Sequence, residues 1–312
     1  MIAMMKKFLV LLCLCFGAMQ LHAQNDSVYL FCYFKGNGDG LHFAYSHDGY
    51  TWNPMFNDSA ILKPLISRDK LFRDPCIIKG GDDKYHMVWT VSWGDKGLGY
   101  ASSPDLVHWS EQKFIPVMMH EDSARNTWAP EIIFDKKKKQ YMVYWASTIA
   151  GRFAQKDTSV EGRRYNHRMY SATTKDFEHW SATKLLYDPG FSVIDATIVP
   201  QGKQFIMFLK NETKSPVEKN LRIASAKKIL GPYSAAGPAI TGRYWAEGPT
   251  VLQIGKRWVV YFDKYTEKKY GAVASEDFVH WNDISENVSF PKGARHGTAL
   301  KISRTEFENM RL

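Results

Sequence analysis

The chain has 312 residues, 45% hydrophobic and 23% charged, with a formal net charge of +9. That is long enough to bury a large core and too apolar for a disordered polymer. The basic residues do not cluster: the lysines at 136–139 sit between two strand-like runs, where a solvated turn accounts for them, so a nucleic-acid patch is excluded.

Lys6 and Lys7, an apolar run over 8–19, and Leu21-His22-Ala23 before Gln24 read as a secretory signal spanning 1–23 and cleaved after Ala23. The apolar run falls short of the roughly 20 residues that span a bilayer. The expectation is a soluble exported protein, periplasmic or extracellular, with one domain over 24–312. Cys13 and Cys15 lie in the signal, each after a leucine and not after the small residue a lipoprotein signal needs. Cys32 and Cys76 remain, both inside apolar runs, and read as buried thiols rather than as a disulfide framework. Loss of Lys6 and Lys7 leaves a charge of +7, which fits an acidic polysaccharide.

Strand-like runs begin at 27–34 and 41–46. A motif then recurs in which an apolar strand opens on a polar or charged mouth: Arg73-Asp74-Pro75-Cys76, Ala129-Pro130-Glu131, Asp195-Ala196-Thr197, Glu247-Gly248-Pro249 and His296-Gly297-Thr298. Aligned on residues 74, 129, 195, 247 and 296, the copies are 55, 66, 52 and 49 residues apart. Roughly 40–50 residues is the repeat of a β-propeller blade. Each copy is followed by further strand candidates separated by Gly/Asp turns, and four strands per unit are expected. A second repeat, an Asp four residues before a Trp, occurs at Asp48, Asp105, Asp176 and Asp277, with Gly231-Pro232-Tyr233 in the remaining unit. It reads as a structural corner. The first two runs lack an inner strand, and the last copy lacks successors, so the two ends complete one blade. The expected fold is all-β: a single five-bladed β-propeller closed by pairing N- and C-terminal strands in one blade.

In a propeller the first strand of each blade is innermost, which brings Asp74, Asp195 and Glu247 to one central depression. Crowded carboxylates are unfavourable unless something pairs or uses them. Arginines such as Arg73 and Arg295 could satisfy them, and without the repeat a structural ion-pair network is an equal reading. Trp128 and Trp93 could offer faces to a sugar ring or be wall residues, and Arg295 could pair an acid or bind a hydroxyl. Glu131, deeper along its strand, reads as structural. The segment 148–167, with Arg152, Arg163 and Arg164, either rims the site or is a solvated insertion.

The five ordered motifs, Arg73-Asp74-Pro75, Trp128-Ala129-Pro130-Glu131, Ile194-Asp195, Glu247-Gly248-Pro249 and Arg295-His296-Gly297, resemble those of glycoside hydrolase family 43. Arg73 stands where arabinanases of that family commonly carry His, and its triplet also occurs in fructan-cleaving propellers. The resemblance implies an inverting hydrolase with Asp74 as general base, Glu247 as general acid and Asp195 orienting the acid and raising its pKa. Trp128, Trp93, Arg295 and His296 are the candidate substrate-binding residues, and the resemblance places His296 at the pocket floor near a water or a calcium ion. No cofactor is needed for the chemistry. The implied activity is removal of terminal sugars, α-L-arabinofuranosyl first, with galactofuranosidase, xylosidase, fructan-type hydrolase and non-catalytic glycan binding as alternatives. The expected partner is a carbohydrate, with no nucleic acid, no membrane after signal removal and a monomeric state.

Overall fold

Most strands of this protein are apolar on both alternating faces because each blade is sandwiched between two others. β1 (Ser27–Phe34), β2 (His42–Ser46) and β3 (Asn53–Pro54) come first, followed by a sheet of β4 (Arg73–Lys79), β5 (Tyr85–Thr90), β6 (Leu98–Ser103) and β7 (Lys113–Ile115). The next contains β8 (Trp128–Asp135), β9 (Gln140–Ser147), β10 (Arg168–Thr174) and β11 (Lys184–Tyr187). β12 (Val193–Gln201), β13 (Gln204–Asn211) and β14 (Asn220–Ala226) form the third, and β15 (Glu247–Ile254), β16 (Arg257–Lys264), β17 (Lys269–Ser275) and β18 (Asn282–Asp283) the fourth. β19 (Arg295–Ser303) returns to pair antiparallel with β1, from Ser27 opposite Ser303 to Phe34 opposite Arg295. This computed structural model describes residues 27–153 and 165–311.

The fold is the expected five-bladed propeller, with the chain's two ends sharing the blade β19-β1-β2-β3. Inner strands β4, β8, β12, β15 and β19 each touch the next, and β19 touches β4, so the ring closes. Five apolar clusters fill the five seams. Alternation along one strand feeds two of them: Tyr85, Met87 and Trp89 of β5 pack toward β1, while Val88 packs toward β9. Cys32 and Cys76 are buried and unpaired, as expected.

One expectation needs correcting: four sheets have four strands, but β12-β13-β14 has three. This is the blade where Gly231-Pro232-Tyr233 replaces the Asp corner, and without that turn the chain does not fold back into a regular ladder. Ser234, Gly237 and Ile240 still donate backbone N–H bonds to Ser225, Ile223 and Leu221. Their three-residue spacing is not that of a strand pair. After β19, helix α1 (Arg304–Asn309) is held by a capping box of Ser303 and Glu306, and Glu306 also accepts the Tyr85 hydroxyl at 2.7 Å, tying the closing blade to its neighbour.

Candidate active site

The inner strands all break step at their mouths. Pairing register shifts between Arg73 and Cys76, Trp128 and Glu131, Ile194 and Thr197, and Glu247 and Thr250, and in the fifth blade between Cys32 and Phe34 opposite β19. These are β-bulges, which turn a side chain out of the sheet's alternation. At each of the first four, one residue takes a left-handed backbone: Asp74 (φ 52), Ala129 (φ 46), Asp195 (φ 54) and Gly248 (φ 58). Non-glycine residues held there store backbone strain of about 1 kcal/mol or more, a feature that gathers at functional sites. At position 248 only glycine fits, because a Cβ would stand 2.3 Å from the His296 ring.

The bulges correct the repeat alignment. Glu247 is not equivalent to Asp74 and Asp195; Gly248 is. Glu247 pairs with Asp263, as Arg73 pairs with Thr90, Trp128 with Ala146 and Ile194 with Lys210. The site therefore has two tiers. Asp74, Ala129, Asp195, Gly248 and His296 form a floor, and Arg73, Trp128, Ile194, Glu247 and Arg295 form the tier above it. A cavity of about 420 Å³ opens over them, lined among others by Asp74, Asp195, Glu247, His296, Trp93 and Trp128. That volume lies in the lower part of the range typical of small-ligand sites.

On the floor, His296 Nδ1 lies 3.3 Å from an Asp74 oxygen and 4.0 Å from an Asp195 oxygen. Burial opposes charge on the ring, but Asp195 and Asp74 outweigh it and raise its pKa to about 9. Burial pushes Asp74 up, yet its bond to His296, that ring's charge, Arg73 and the Thr90 hydroxyl at 2.8 Å bring it to about 2. Asp74 is thus a carboxylate at any working pH. Asp195, despite an N–H bond from Gly248 at 3.1 Å, is raised to about 6, first by burial and then by the charges of Glu247 and Asp74.

Glu247 is held between two cations. Lys210 Nζ donates to Oε2 at 3.1 Å, and an Arg295 guanidinium nitrogen donates to Oε1 at 3.2 Å. Each cation has a second, shorter carboxylate contact: Lys210 with Glu212 at 2.7 Å, and Arg295 with Asp263 at 2.5 Å. Lys219 bonds the other oxygen of Glu212. Burial alone would raise the Glu247 pKa; Lys210, Arg295 and His296 outweigh it and hold it below the ordinary glutamate value. This is opposite to the shift expected from sequence. Lys210 and Arg295 favour an ionised Glu247 while burial favours the protonated form of Asp195; the expectation counted acids without the cations beside them.

The walls are aromatic. Trp128 meets Trp93 edge-on with centroids 6.0 Å apart and packs on Tyr165 at 4.9 Å. His167 stacks on Tyr165 behind it, kept neutral by burial, with a pKa of about 3. Trp93 is 39% exposed at the mouth, with the Arg73 guanidinium over its ring. Arg295 stands behind Glu247 as its partner. Glu131 is buried beneath the floor, bonded to Tyr144 and Thr197, in keeping with a structural role. Of the segment 148–167, Tyr165 lines the cavity and Arg152 pairs with Glu121; Arg163 and Arg164 lie outside the described residues, as does the signal at 1–23.

Lys210, Glu212, Asp263 and Tyr165 were not found from sequence. The signal for two of them was there: Lys210 and Asp263 each follow an apolar second-strand run directly, at the position that pairs with the upper tier. His296 Nδ1 faces Asp74 and Asp195, and among the described residues no three His, Cys, Asp or Glu groups are arranged to hold a metal.

Comparison with known proteins agrees with this architecture. An alpha-L-arabinofuranosidase of Bifidobacterium longum subsp. longum is 22% identical over 244 residues, covering 68% of this chain but only 23% of that protein. A thermostable family-43 glycoside hydrolase superposes with a TM-score of 0.51 at 18% identity, over 68% of this chain and 71% of the other. A variant of the GH43 protein BlXynB from Bacillus licheniformis gives 0.54 at 20%, over 73% and 45%. The exo-beta-1,3-galactanase of Phanerochaete chrysosporium gives 0.52 at 14%, over 68% and 49%. At these identities what the solved structures share with this chain is the fold. A family model described as "Probable glycosyl hydrolase domain", related to family 43, matches residues 25–308, and on that nearly complete match the chain belongs to the family 43 glycoside hydrolases.

Proposed function

We propose that this chain is an inverting exo-glycosidase that removes terminal α-L-arabinofuranosyl residues from oligo- or polysaccharides. The observation that carries it is the convergence of Asp74, Asp195 and Glu247, from three blades, on one aromatic-walled cavity in three different electrostatic settings. The arabinofuranosidase similarity favours the sugar, and the small volume of the cavity, about 420 Å³, favours a terminal residue over an internal one.

In this reading Asp74, kept ionised by His296, takes a proton from a water whose oxygen attacks the anomeric carbon. The glycosidic C–O bond breaks on the opposite side, and Glu247 gives its proton to the departing oxygen. Glu247 must first be protonated, and Asp195, the most proton-rich of the three, is the nearby source. Neutralising Glu247 strands no buried charge, since Lys210 and Arg295 keep Glu212 and Asp263. The scheme needs no metal, because His296 supplies the positive charge that balances the floor. The leader at 1–23 supports export, and no described helix is long and apolar enough to cross a membrane. We take the working unit to be the monomer.

The test is hydrolysis of a panel of nitrophenyl furanosides and pyranosides. The arabinofuranoside is expected to be cleaved fastest. Faster cleavage of the galactofuranoside or xyloside would overturn the sugar assignment, and no cleavage of any would overturn catalysis.

A further inference from the structure

The cations around the cavity differ in one respect. Lys210 and Arg295 each contact two carboxylates, and His296 faces two more. Arg73 lines the same cavity, yet among the described residues no carboxylate stands within ion-pair distance of it. One guanidinium nitrogen donates to the Asn37 side chain at 2.8 Å, and the group lies over the Phe34 ring at 4.7 Å and the Trp93 ring at 5.1 Å. It is therefore fixed in place, with donors left over.

A planar fork held between two rings has already lost its rotamer freedom, so an oxyanion docking on it recovers most of the bond energy. The neighbouring Asp74 carboxylate does not repel such a ligand strongly, because it is paired with His296. Trp93 beside it is 39% exposed, so the part of its indole that Arg73 leaves uncovered is open to a sugar ring at the mouth. A chain of net positive charge, +7 without the leader, draws anionic polymers toward the site.

We propose that Arg73 and Trp93 form a subsite for an acidic sugar, whose carboxylate or sulfate ester docks on the guanidinium while its ring lies against the indole. The natural glycan is then acidic at the residue in this subsite, whether or not the bond cleaved is to a neutral pentose. The proposal rests on the hydrolase reading only in taking a glycan as the ligand.

The experiment is titration calorimetry of the full chain at fixed ionic strength. Glucuronate, galacturonate and mannuronate are each compared with the matching neutral hexose, and glucose 6-sulfate with glucose. At least one acidic sugar is expected to bind about 10-fold or more tightly than its neutral counterpart. In Arg73→Gln that ratio falls to about 1; in Arg73→Lys, which keeps the charge without the fork, it lies between and carries the test if the glutamine variant does not fold. Preference for the sulfate over every uronate assigns the ester, and the reverse assigns the carboxylate. Equal binding of acidic and neutral sugars, binding of neither, or a preference that survives loss of Arg73 overturns the proposal. Because binding is read without turnover, a Glu247→Gln chain that fails to lose activity would count against the hydrolase reading alone.

Discussion

The inner mouths of the blades and their outer corners are both built on a repeated backbone, and they use it in opposite ways. At the corners the side chains repeat too. Asp48, Asp105, Asp176 and Asp277 each accept two backbone N–H bonds, from the residues two and three positions on, at 2.7–2.9 Å. A Ser or Thr two residues before each completes the turn, as Ser103 does by accepting the Leu106 N–H at 2.8 Å. At the mouths the same bulge and the same left-handed residue recur in four blades, but the side chains are Asp, Ala, Asp and Gly. Where backbone and side chain repeat together, the repeat holds the ring; where the backbone repeats and the side chains diverge, it holds chemistry.

The comparison is broken most forcefully at the mouths. Glu247→Gln is expected to lower kcat by about 10²–10⁴-fold while shifting the melting temperature by only a few degrees, because its two cations keep their other carboxylates. A variant that unfolds, or that turns over normally, would make the mouth as structural as the corner.

The floor should also show itself in stability against pH. With a pKa of about 6.5 unfolded and about 9 folded, protonated His296 stabilises the fold fully below pH 6.5, and that contribution is lost as pH rises through 9. Denaturant titrations should show on the order of 3 kcal/mol of stability disappearing over that window, and His296→Asn should flatten the slope. A wild-type profile flat from pH 6 to 9 would contradict the pairing with Asp74 and Asp195.

Lys210→Met sharpens the account of the acid. Removing one cation raises the Glu247 pKa, so the basic limb of the pH–rate profile should move to higher pH. A limb that stays in place would show that Lys210 does not govern the acid. The smallest effect is expected at a corner. Asp105→Ala gives up two backbone bonds on a half-exposed turn, about 1 kcal/mol, or a melting temperature roughly 2–4 °C lower, with kcat unchanged.

The ring itself was legible because its repeats are set by local chemistry: apolar runs of strand length, Gly/Asp turns, and a corner that needs one Asp. Ring closure through β1 and β19 followed from counting strands. What sequence could not supply was the bulge. A one-residue shift in backbone pairing is invisible in a motif alignment, and it moved Glu247 from the floor to the tier above. The clamp was hidden for a related reason. Lys210 and Asp263 look like the polar ends of apolar strands, and their meaning comes only from the residues across the ladder, Ile194 and Glu247. The proton's preference for Asp195 followed from those unseen neighbours.

The most direct test of the mechanism is the anomeric configuration of the sugar first released, followed by proton NMR before mutarotation. A water activated by Asp74 on the face opposite Glu247 predicts the inverted product, the β-anomer from an α-L-arabinofuranoside. Release of the α-anomer would mean that a carboxylate attacks the sugar directly, and would contradict Asp74 as the base and Glu247 as the acid of a single displacement.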